Sequence, residues 1–305
     1  WCRVGTRGVF LPLRGHRRWN GRCSTAYMQP PRHEAAAVWP ADAGAGICWH
    51  IDLACLYFID FIILKSIENT AKDKTGIGII FSNILDLNKM LRDKLIEQFK
   101  QAEEQDGKPP CTKEDLIEFL DDGILIIDFF KKRRGEYFSK RDWELIGCEI
   151  PIEVDLKNNI KMVGYIDIVM RHIPTDSIKI IDIKTSTMGW NKWMKKDENK
   201  TQQLLLYKQF YSKQYNHPIE RIEVEYFIVK RKLWEKAMFP QKRVQKFVPA
   251  SGKPSMNKVN GRLLKFVTEA FTEDGEKKND MVATPSKKAC KWCEFKGTEY
   301  CKWGI

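Results

Sequence analysis

The stretch that decides the fold runs from Gly164 to Ser186 and reads GYIDIVMRHIPTDSIKIIDIKTS. Two apolar runs rich in Ile and Val flank a Pro-Thr-Asp-Ser turn, which predicts two adjacent strands. Each run contains one carboxylate, Asp167 in the first and Asp182 in the second, and Lys184 follows two residues after Asp182. If the strands form a hairpin, Asp167 can approach Asp182 across it.

These charges have two interpretations. Asp182 and Lys184 leave the same face of a strand, and burying them is costly unless they pair or bind an ion. Two convergent carboxylates offer the oxygen ligands that Mg²⁺ prefers, with water positions left for a nucleophile. The alternative is a buried Asp–Lys ion pair in which Asp167 acts only as a capping residue. Spacing alone does not separate the two.

The segments around this pair predict a compact α/β unit. Alternating apolar residues predict strands and a helix along the chain. The predicted strands are 148–155, 161–170, 178–184 and 222–229, and the helix is 196–215. Breaks are expected at Asn158-Asn159 and at the Pro-Thr-Asp-Ser turn.

Two packing helices are predicted upstream of this unit. The first follows Ser82, a candidate N-cap, and carries apolar residues at helical spacing. Those residues are Ile84, Leu87, Leu91, Leu95 and Phe99. A loop at 105–111 with Gly107 should end it. Thr112 and Asp115 resemble a capping box that opens the second helix, through about residue 130.

The composition favours a polyanionic partner and excludes some classes of protein. The 305 residues include 52 Lys and Arg against 40 Asp and Glu, a net charge of +12. Such an excess suits nucleic acid, although a solvated basic face is the alternative. No apolar run reaches the length of a membrane span, so we expect no membrane insertion. Nine Cys residues, an odd number, argue against a disulfide scaffold.

The first 64 residues differ in composition from the rest. They contain no Lys and seven Arg, whereas residues 65–305 contain 36 Lys and nine Arg. The chain begins with Trp1, so we expect that the natural start is missing. An Arg-rich leader, a foreign or mistranslated stretch and a divergent N-terminal domain are the three interpretations. No function is assigned to this segment.

Three motifs together carry a family resemblance. Gly164-x2-Asp167, Asp182-x-Lys184-Thr185 and Gln203-x3-Tyr207 occur in this order. This arrangement resembles the RecB-like branch of the PD-(D/E)XK nucleases, which includes phage and CRISPR-associated exonucleases. The resemblance covers about residues 149–232, with a Cys-rich tail matching separately.

The resemblance implies a fold and a division of the chain. The fold class is α/β, a restriction-endonuclease-like core in which helices flank a central mixed β-sheet. N-terminal helices and a small Cys-rich C-terminal cap complete it. The expected regions are 1–64 as an atypical segment, 65–135 as helical, 136–250 as the nuclease core, and 251–305 as a helix with the metal-binding tail.

The resemblance also implies roles for single residues. Asp167 and Asp182 would hold Mg²⁺ or Mn²⁺, and the backbone carbonyl of Ile183 would add a ligand. Lys184 would orient the attacking water and offset charge on the scissile phosphate. Two further side chains, Gln203 and Tyr207, lie one helical turn apart and would steady the site and contact DNA. Packing of an amphipathic helix is the alternative for that pair.

Two features of the resemblance concern acids and histidines. The family often has an acidic residue near the metal, just before the strand pair. Either Glu149 or Glu153 could fill this role. The alternative is that both are solvated acids at a strand edge. RecB-like enzymes usually supply a histidine ligand from a Gly-x3-His motif. None of the five histidines lies in such a motif; they are His16, His33, His50, His172 and His217.

The tail spacing predicts a second metal site. Cys290, Cys293 and Cys301 form C-x2-C-x7-C, and a C-x2-C turn directs two sulfurs at one ion. Related nucleases hold a [4Fe–4S] cluster with such a trio and one upstream Cys; Zn²⁺ is the competing metal. The candidates for the fourth ligand are Cys23, Cys48 and Cys55. Three free thiols are the alternative.

Basic residues interleaved with aromatic ones predict contacts with DNA. They are Lys192, Lys195 and Lys196 near Trp190 and Trp193, and Lys230, Arg231 and Lys232 near Phe227 and Trp234. A solvated strand end with anchoring aromatic residues is the alternative. Sequence readout is not expected.

The expected function is a metal-dependent DNA nuclease, an exonuclease acting on a single strand or a duplex end. It would serve replication, recombination or repair in the cytoplasm of a bacterial or phage-infected cell. A catalytically inactive nuclease fold that only binds DNA is the alternative. A purely structural zinc protein explains the tail but not the buried charges.

Overall fold

A computed structural model describes residues 2–4, 10–11, 86–138, 141–234, 236–278, 285–291, 293, 295–299, 301 and 303–305. Most of the atypical N-terminal segment lies outside these residues, as do Ser82 and the candidate ligands Cys23, Cys48 and Cys55. No helix within the described ranges is long and apolar enough to cross a membrane.

Five strands form a central mixed sheet in the spatial order β3-β4-β5-β6-β7. They are β3 (Trp143–Asp155), β4 (Lys161–His172), β5 (Ser177–Ser186), β6 (Ile222–Lys230) and β7 (Val244–Phe247). The pair β5 and β6 is parallel, and the other neighbours are antiparallel. Two short strands, β1 (Cys2–Val4) and β2 (Phe10–Leu11), pair with each other, and β1 pairs with the start of β4. The predicted α/β class with a mixed sheet is confirmed.

The turn between β3 and β4 explains why the chain reverses there. Asn158 and Asn159 both have positive φ, +57° and +53°. Two successive left-handed residues are typical of a type I′ hairpin turn, and Asn tolerates that conformation better than most residues do. The predicted break is therefore confirmed.

The first core strand begins earlier than predicted. Trp143 pairs with His172, so β3 starts five residues before the expected position at 148. A register shift between Leu145 and Gly147 interrupts the alternation of exposed and buried residues. This bulge hid the first part of the strand from an alternation-based prediction.

Six α-helices are described. They are α1 (Leu87–Asp106), α2 (Lys113–Tyr137), α3 (Lys192–Lys196), α4 (Glu198–Tyr215), α5 (Lys253–Ala270) and α6 (Lys287–Cys290). A 3₁₀ turn at Ile219–Arg221 leads into β6. The predicted helix at 196–215 is confirmed as α4, which begins two residues later because Asp197 caps its start. The short helix α3 before it was not predicted.

Capping interactions and a left-handed glycine fix the ends of the two upstream helices. Asp86 is the N-cap of α1 and accepts a hydrogen bond from the Lys89 amide at 2.9 Å. The predicted start at Ser82 was therefore wrong. Gly107, with φ +67°, ends α1 as expected. The capping box of Thr112 and Asp115 is confirmed by reciprocal hydrogen bonds of 3.1 Å.

Helices cover both faces of the sheet. One face buries Leu204 and Phe210 of α4 and Val259 of α5 against the strands. The other face buries Ile126 and Phe130 of α2. Helix α1 packs on the outer side of α2. Each fully buried Leu, Ile or Phe contributes about 1.5–3 kcal/mol relative to exposure.

Successive side chains of β5 point alternately to the two helical layers that cover the sheet. Ile178 and Ile180 face α4, whereas Ile181 and Ile183 face α2. Asp182 continues the row that begins at Ile178, because residues two apart share a face. The sheet therefore directs Asp182 and Lys184 toward the start of α4.

Candidate active site

The candidate site lies where β4 and β5 separate. Their ladder runs from His172 and Ser177 to Ile168 and Ile181 and ends there. One more step of this register would place Asp167 opposite Asp182. The Oδ2 atom of Asp167 accepts a hydrogen bond from the Ile183 amide at 2.7 Å. The carboxylate thus satisfies a backbone group that the separated strand leaves unpaired.

Both carboxylates are inside the protein. Asp167 is 2% exposed and Asp182 is 1% exposed. The structure brings them to neighbouring strands on one face, as the hairpin interpretation of the sequence predicted. Buried ionised groups require compensation, so their immediate partners decide what this site can do.

A chain of polar contacts leads from Asp182 into α4. Lys184 Nζ lies 2.5 Å from Asp182 Oδ2 and donates a hydrogen bond to Gln203 Oε1 at 3.2 Å. Gln203 Nε2 donates in turn to the Tyr207 hydroxyl at 2.9 Å. Four residues from two separate sequence motifs therefore meet. The amide of Gln203 is held at both ends, which fixes the direction from which it contacts Lys184.

The Oδ2 atom of Asp182 is buried, and its partner is the ammonium of Lys184. The contact is an ion pair without hydrogen-bond alignment, so electrostatic attraction compensates the buried charge. A cation bound to this oxygen would compensate the same charge.

The donor set fits a small divalent cation. Mg²⁺ is usually bound by one or two carboxylates and keeps several water ligands. Asp167 and Asp182 supply that number. Within the described residues, no group of three or more His, Cys, Asp or Glu side chains is placed to hold a metal ion. Asp167, Asp182 and the backbone carbonyl of Ile183 as ligands stay a prediction.

Glu149 occupies an unusual position in β3. The register around it, Cys148 with Ile168 and Ile150 with Ile166, places it beside Asp167. Its φ is +53°, a left-handed conformation that costs roughly 1–2 kcal/mol for a non-glycine residue. Such outliers cluster at functional sites. The side chain itself is exposed.

The alternative acid is engaged elsewhere. Glu153 Oε1 lies 2.6 Å from Lys161 Nζ, in an exposed ion pair near the hairpin turn. Of the two acids that the sequence offered, Glu149 is therefore the one next to the carboxylate row. Its role as a catalytic residue stays a prediction.

Tyr226 belongs to this site but was not predicted from the sequence. It is fully buried on β6, in register with Asp182. Lys184 Nζ lies 6.0 Å from the centroid of its ring, and its hydroxyl donates to the Lys200 carbonyl at 2.6 Å. The alternation of β6 placed Tyr226 on a buried face. The parallel register that brings it under Lys184 is not readable from local sequence.

The predicted DNA-binding lysines of α3 lie on the segment between β5 and α4, the two elements that carry Lys184 and Gln203. Lys192 and Lys196 are exposed, and Lys195 is half-buried. Lys195 Nζ lies 5.7 Å from the centroid of the Phe247 ring. These residues remain candidates for contact with a phosphate backbone.

The second basic group is different, because Arg231 is buried. Its Nη1 atom lies 3.0 Å from Asp122 Oδ2 and 3.3 Å from Glu118 Oε1, both on α2. Lys232 also pairs with Glu118. The hydrogen bond from Lys232 lowers the pKa of Glu118, and burial raises the pKa of Asp122.

This ion-pair cluster connects the end of β6 to α2. The Arg231 guanidinium is used inside the protein, so we no longer expect it to contact DNA. Glu118 and Asp122 were not singled out from the sequence, because they lie more than a hundred residues before Arg231. Lys230, the remaining member of the predicted group, is half-buried.

The structure describes all three cysteines of the tail. Cys290 ends α6 and is buried, and the Cys293 amide donates to its carbonyl at 3.4 Å. Hydrogen bonds with the backbone of Ile305 and of Ser286 lower the pKa of Cys290, which favours the thiolate that binds metals. Cys301 is half-buried. The [4Fe–4S] cluster or Zn²⁺ stays a prediction.

Substituting Cys293 by Ser tests the tail. We expect protein purified without oxygen to contain stoichiometric iron, or else zinc, and the variant to lose it. Because ligation couples to folding, the variant should melt at least about 5 °C lower. Elemental analysis and thermal denaturation measure both. Cys111→Ser, at a half-buried cysteine before α2, is the matched control. A metal-free parent protein and an unchanged melting temperature would leave three free thiols.

Comparisons with known proteins give no assignment. No family model matches the chain, and the search of curated proteins found no match. The resemblance to RecB-like nucleases therefore depends on the three motifs and on the geometry of the side chains they contribute.

Proposed function

We propose that this protein is a metal-dependent DNA nuclease with a restriction-endonuclease-like core, an exonuclease of the RecB-like type. The observation that carries the proposal is the pair of buried carboxylates on adjacent strands, Asp167 and Asp182, with the ammonium of Lys184 2.5 Å from Asp182 Oδ2. Mg²⁺ is usually bound by one or two carboxylates, and a neighbouring ammonium can offset charge on a phosphate.

Each residue of the polar chain has a role in phosphodiester hydrolysis. Asp167 and Asp182 would hold Mg²⁺ or Mn²⁺, which when bound polarises the phosphate and lowers the pKa of water. The ammonium of Lys184 offsets negative charge that develops on the scissile phosphate. Gln203 positions that ammonium, and Tyr207 in turn orients the Gln203 amide. The net charge of +12 favours a polyanionic substrate.

A catalytically inactive DNA-binding module is the second candidate. It is favoured by the lack, among the described residues, of any metal-ligating group of three side chains. Such a protein would keep the sheet, the lysines of α3 and affinity for DNA without hydrolysing it.

An assay with several DNA substrates tests the proposal. We expect Mg²⁺ or Mn²⁺ to support release of nucleotides from linear DNA, and EDTA to abolish it. Closed circular DNA should survive, because an exonuclease requires an end. Products from single strands and from duplexes, labelled at either end, are resolved by gel electrophoresis. Binding of DNA without release of nucleotides with either metal would favour the inactive module.

A further inference from the structure

Two segments leave the sheet at the end where Lys184 lies. One follows β5 from residue 187, and the other follows β6 from residue 231. Backbone hydrogen bonds join their beginnings, since the Arg231 amide donates to Ser186 and the Lys232 amide donates to Thr187, both at 2.9 Å. The two segments are therefore neighbours where they leave the sheet, just beyond Lys184.

These segments expose large apolar side chains to solvent. Trp193 is 69% exposed and Phe239 is 76% exposed. We use the term aromatic rim for the exposed set, which is Met188, Trp193, Trp234, Met238 and Phe239. Single exposed apolar residues are normal on a protein surface. Five exposed apolar side chains in two adjacent segments favour a binding surface for a ligand or partner.

The backbone that carries Trp193 is held firmly. Asn191 Oδ1 accepts hydrogen bonds from the amides of Trp193 and Met194, each at 3.0 Å. The neighbouring Trp190 is buried, and Gln245 binds both its amide, at 2.7 Å, and its carbonyl, at 3.1 Å. An exposed indole on a fixed backbone costs little conformational entropy when a ligand stacks on it.

The surroundings of Trp193 are cationic. The segment 187–196 contains Lys192, Lys195 and Lys196 and no acidic residue. Lys192 Nζ lies 5.1 Å from the centroid of the Trp193 ring. Single-stranded nucleic acid combines a phosphate backbone with base faces open for stacking, whereas a duplex hides those faces. The cationic side chains here can pair with the phosphates of a single strand, and the aromatic side chains can stack on its bases.

We propose that the aromatic rim binds single-stranded DNA and that Trp193 stacks on one of its bases beside the candidate site. This inference rests on the proposed nuclease function and names its substrate class. The surface selects a single strand, or the unpaired end of a duplex, over an intact duplex. The stacking is independent of base identity, because every base has a face that can stack.

The test is equilibrium binding in EDTA, where no hydrolysis interferes. A fluorescently labelled oligo-dT of about 20 nucleotides is the probe, and anisotropy is the measurement. Trp193→Ala should raise its dissociation constant about 5- to 100-fold, the range for loss of one stacked base. Trp193→Phe keeps an aromatic face and should bind within about threefold of the parent. Binding of a blunt-ended duplex should change little in both variants.

The control is Tyr215→Ala. Tyr215 is also an exposed aromatic residue, but it ends α4, about 18 Å along the helix from Gln203. This variant should bind the probe like the parent. Equal affinity of Trp193→Ala and the parent overturns the inference, as does equal weakening of duplex binding.

Two other ligands of the aromatic rim, RNA or a second copy of the chain, would also contradict the inference. Tighter binding of oligo-U RNA than of oligo-dT would make RNA the ligand. A dimeric parent that becomes monomeric on Trp193→Ala, measured by analytical ultracentrifugation, would make the rim a contact between copies of the chain. Each result leaves the nuclease proposal intact, because that proposal is tested by metal-dependent hydrolysis. Loss of oligo-dT binding in a protein that never cleaves DNA would support the rim and reject the nuclease.

Discussion

Asp182→Asn is expected to abolish metal-dependent DNA degradation, lowering the rate by a factor on the order of 10³ or more. The substitution preserves the shape of the side chain and removes one ligand charge. Binding of oligo-dT in EDTA should remain, because the lysines of α3 and the aromatic rim are untouched. Release of labelled nucleotides and anisotropy measure the two effects separately.

The same substitution should leave the fold intact. Removal of the charge ends the ion pair with Lys184 but also relieves repulsion with Asp167, and Lys184 keeps Gln203 as a partner. We therefore expect the melting temperature to hold or rise. Asp176→Asn is the matched control, since Asp176 is a surface carboxylate in the turn before β5, ion-paired with Arg171 at 2.6 Å. Hydrolysis by Asp182→Asn at near the parent rate would reject the metal-site assignment.

The local part of the site was predictable from the sequence. Apolar neighbours around Asp167 and Asp182 showed that both carboxylates would be buried, and the turn between them indicated a hairpin. The spacing of Gln203 and Tyr207 placed both on one face of a helix. These predictions use only short-range periodicity, which backbone geometry determines directly.

Contacts that depend on tertiary register were not predictable. Tyr226 lies under Lys184 because β6 runs parallel to β5, and this pairing joins strands separated by two helices. Arg231 resembled a phosphate-binding residue until the acids of α2 supplied its partners. Single-sequence patterns report which face of an element is apolar, but not which element covers that face.

The separation of β4 from β5 was equally hidden. The sequence suggested a continuous hairpin, whereas the ladder stops at Ile168 and Ile181. The bond from the Ile183 amide to Asp167 replaces the next step of the ladder. A carboxylate therefore takes the place of a backbone carbonyl as the acceptor for this amide, which local sequence patterns do not reveal.

Lys184→Met is expected to reduce turnover about 100-fold or more, the range for removing a charged group that stabilises the transition state. Met preserves most of the alkyl packing and removes the ammonium, so it separates charge from volume. Mn²⁺ or Ca²⁺ binding, followed by calorimetry, should survive because Asp167 and Asp182 are unchanged. A lower rate at saturating DNA with an unchanged KM would indicate an effect on the chemical step.

Lys179→Met provides the control on the same strand. Lys179 faces the opposite layer, where its Nζ lies 3.7 Å from Glu223 Oε2 and 5.3 Å from the centroid of the Trp143 ring. Its loss should leave the rate of hydrolysis unchanged. If Lys184→Met instead unfolds while its control does not, Lys184 serves a buried ion pair. If Lys184→Met folds, binds metal and cleaves DNA like the parent, the ammonium has no part in the reaction. The expected combination, a folded protein that binds metal and turns over slowly, requires the ammonium to act on the phosphate and not on the fold.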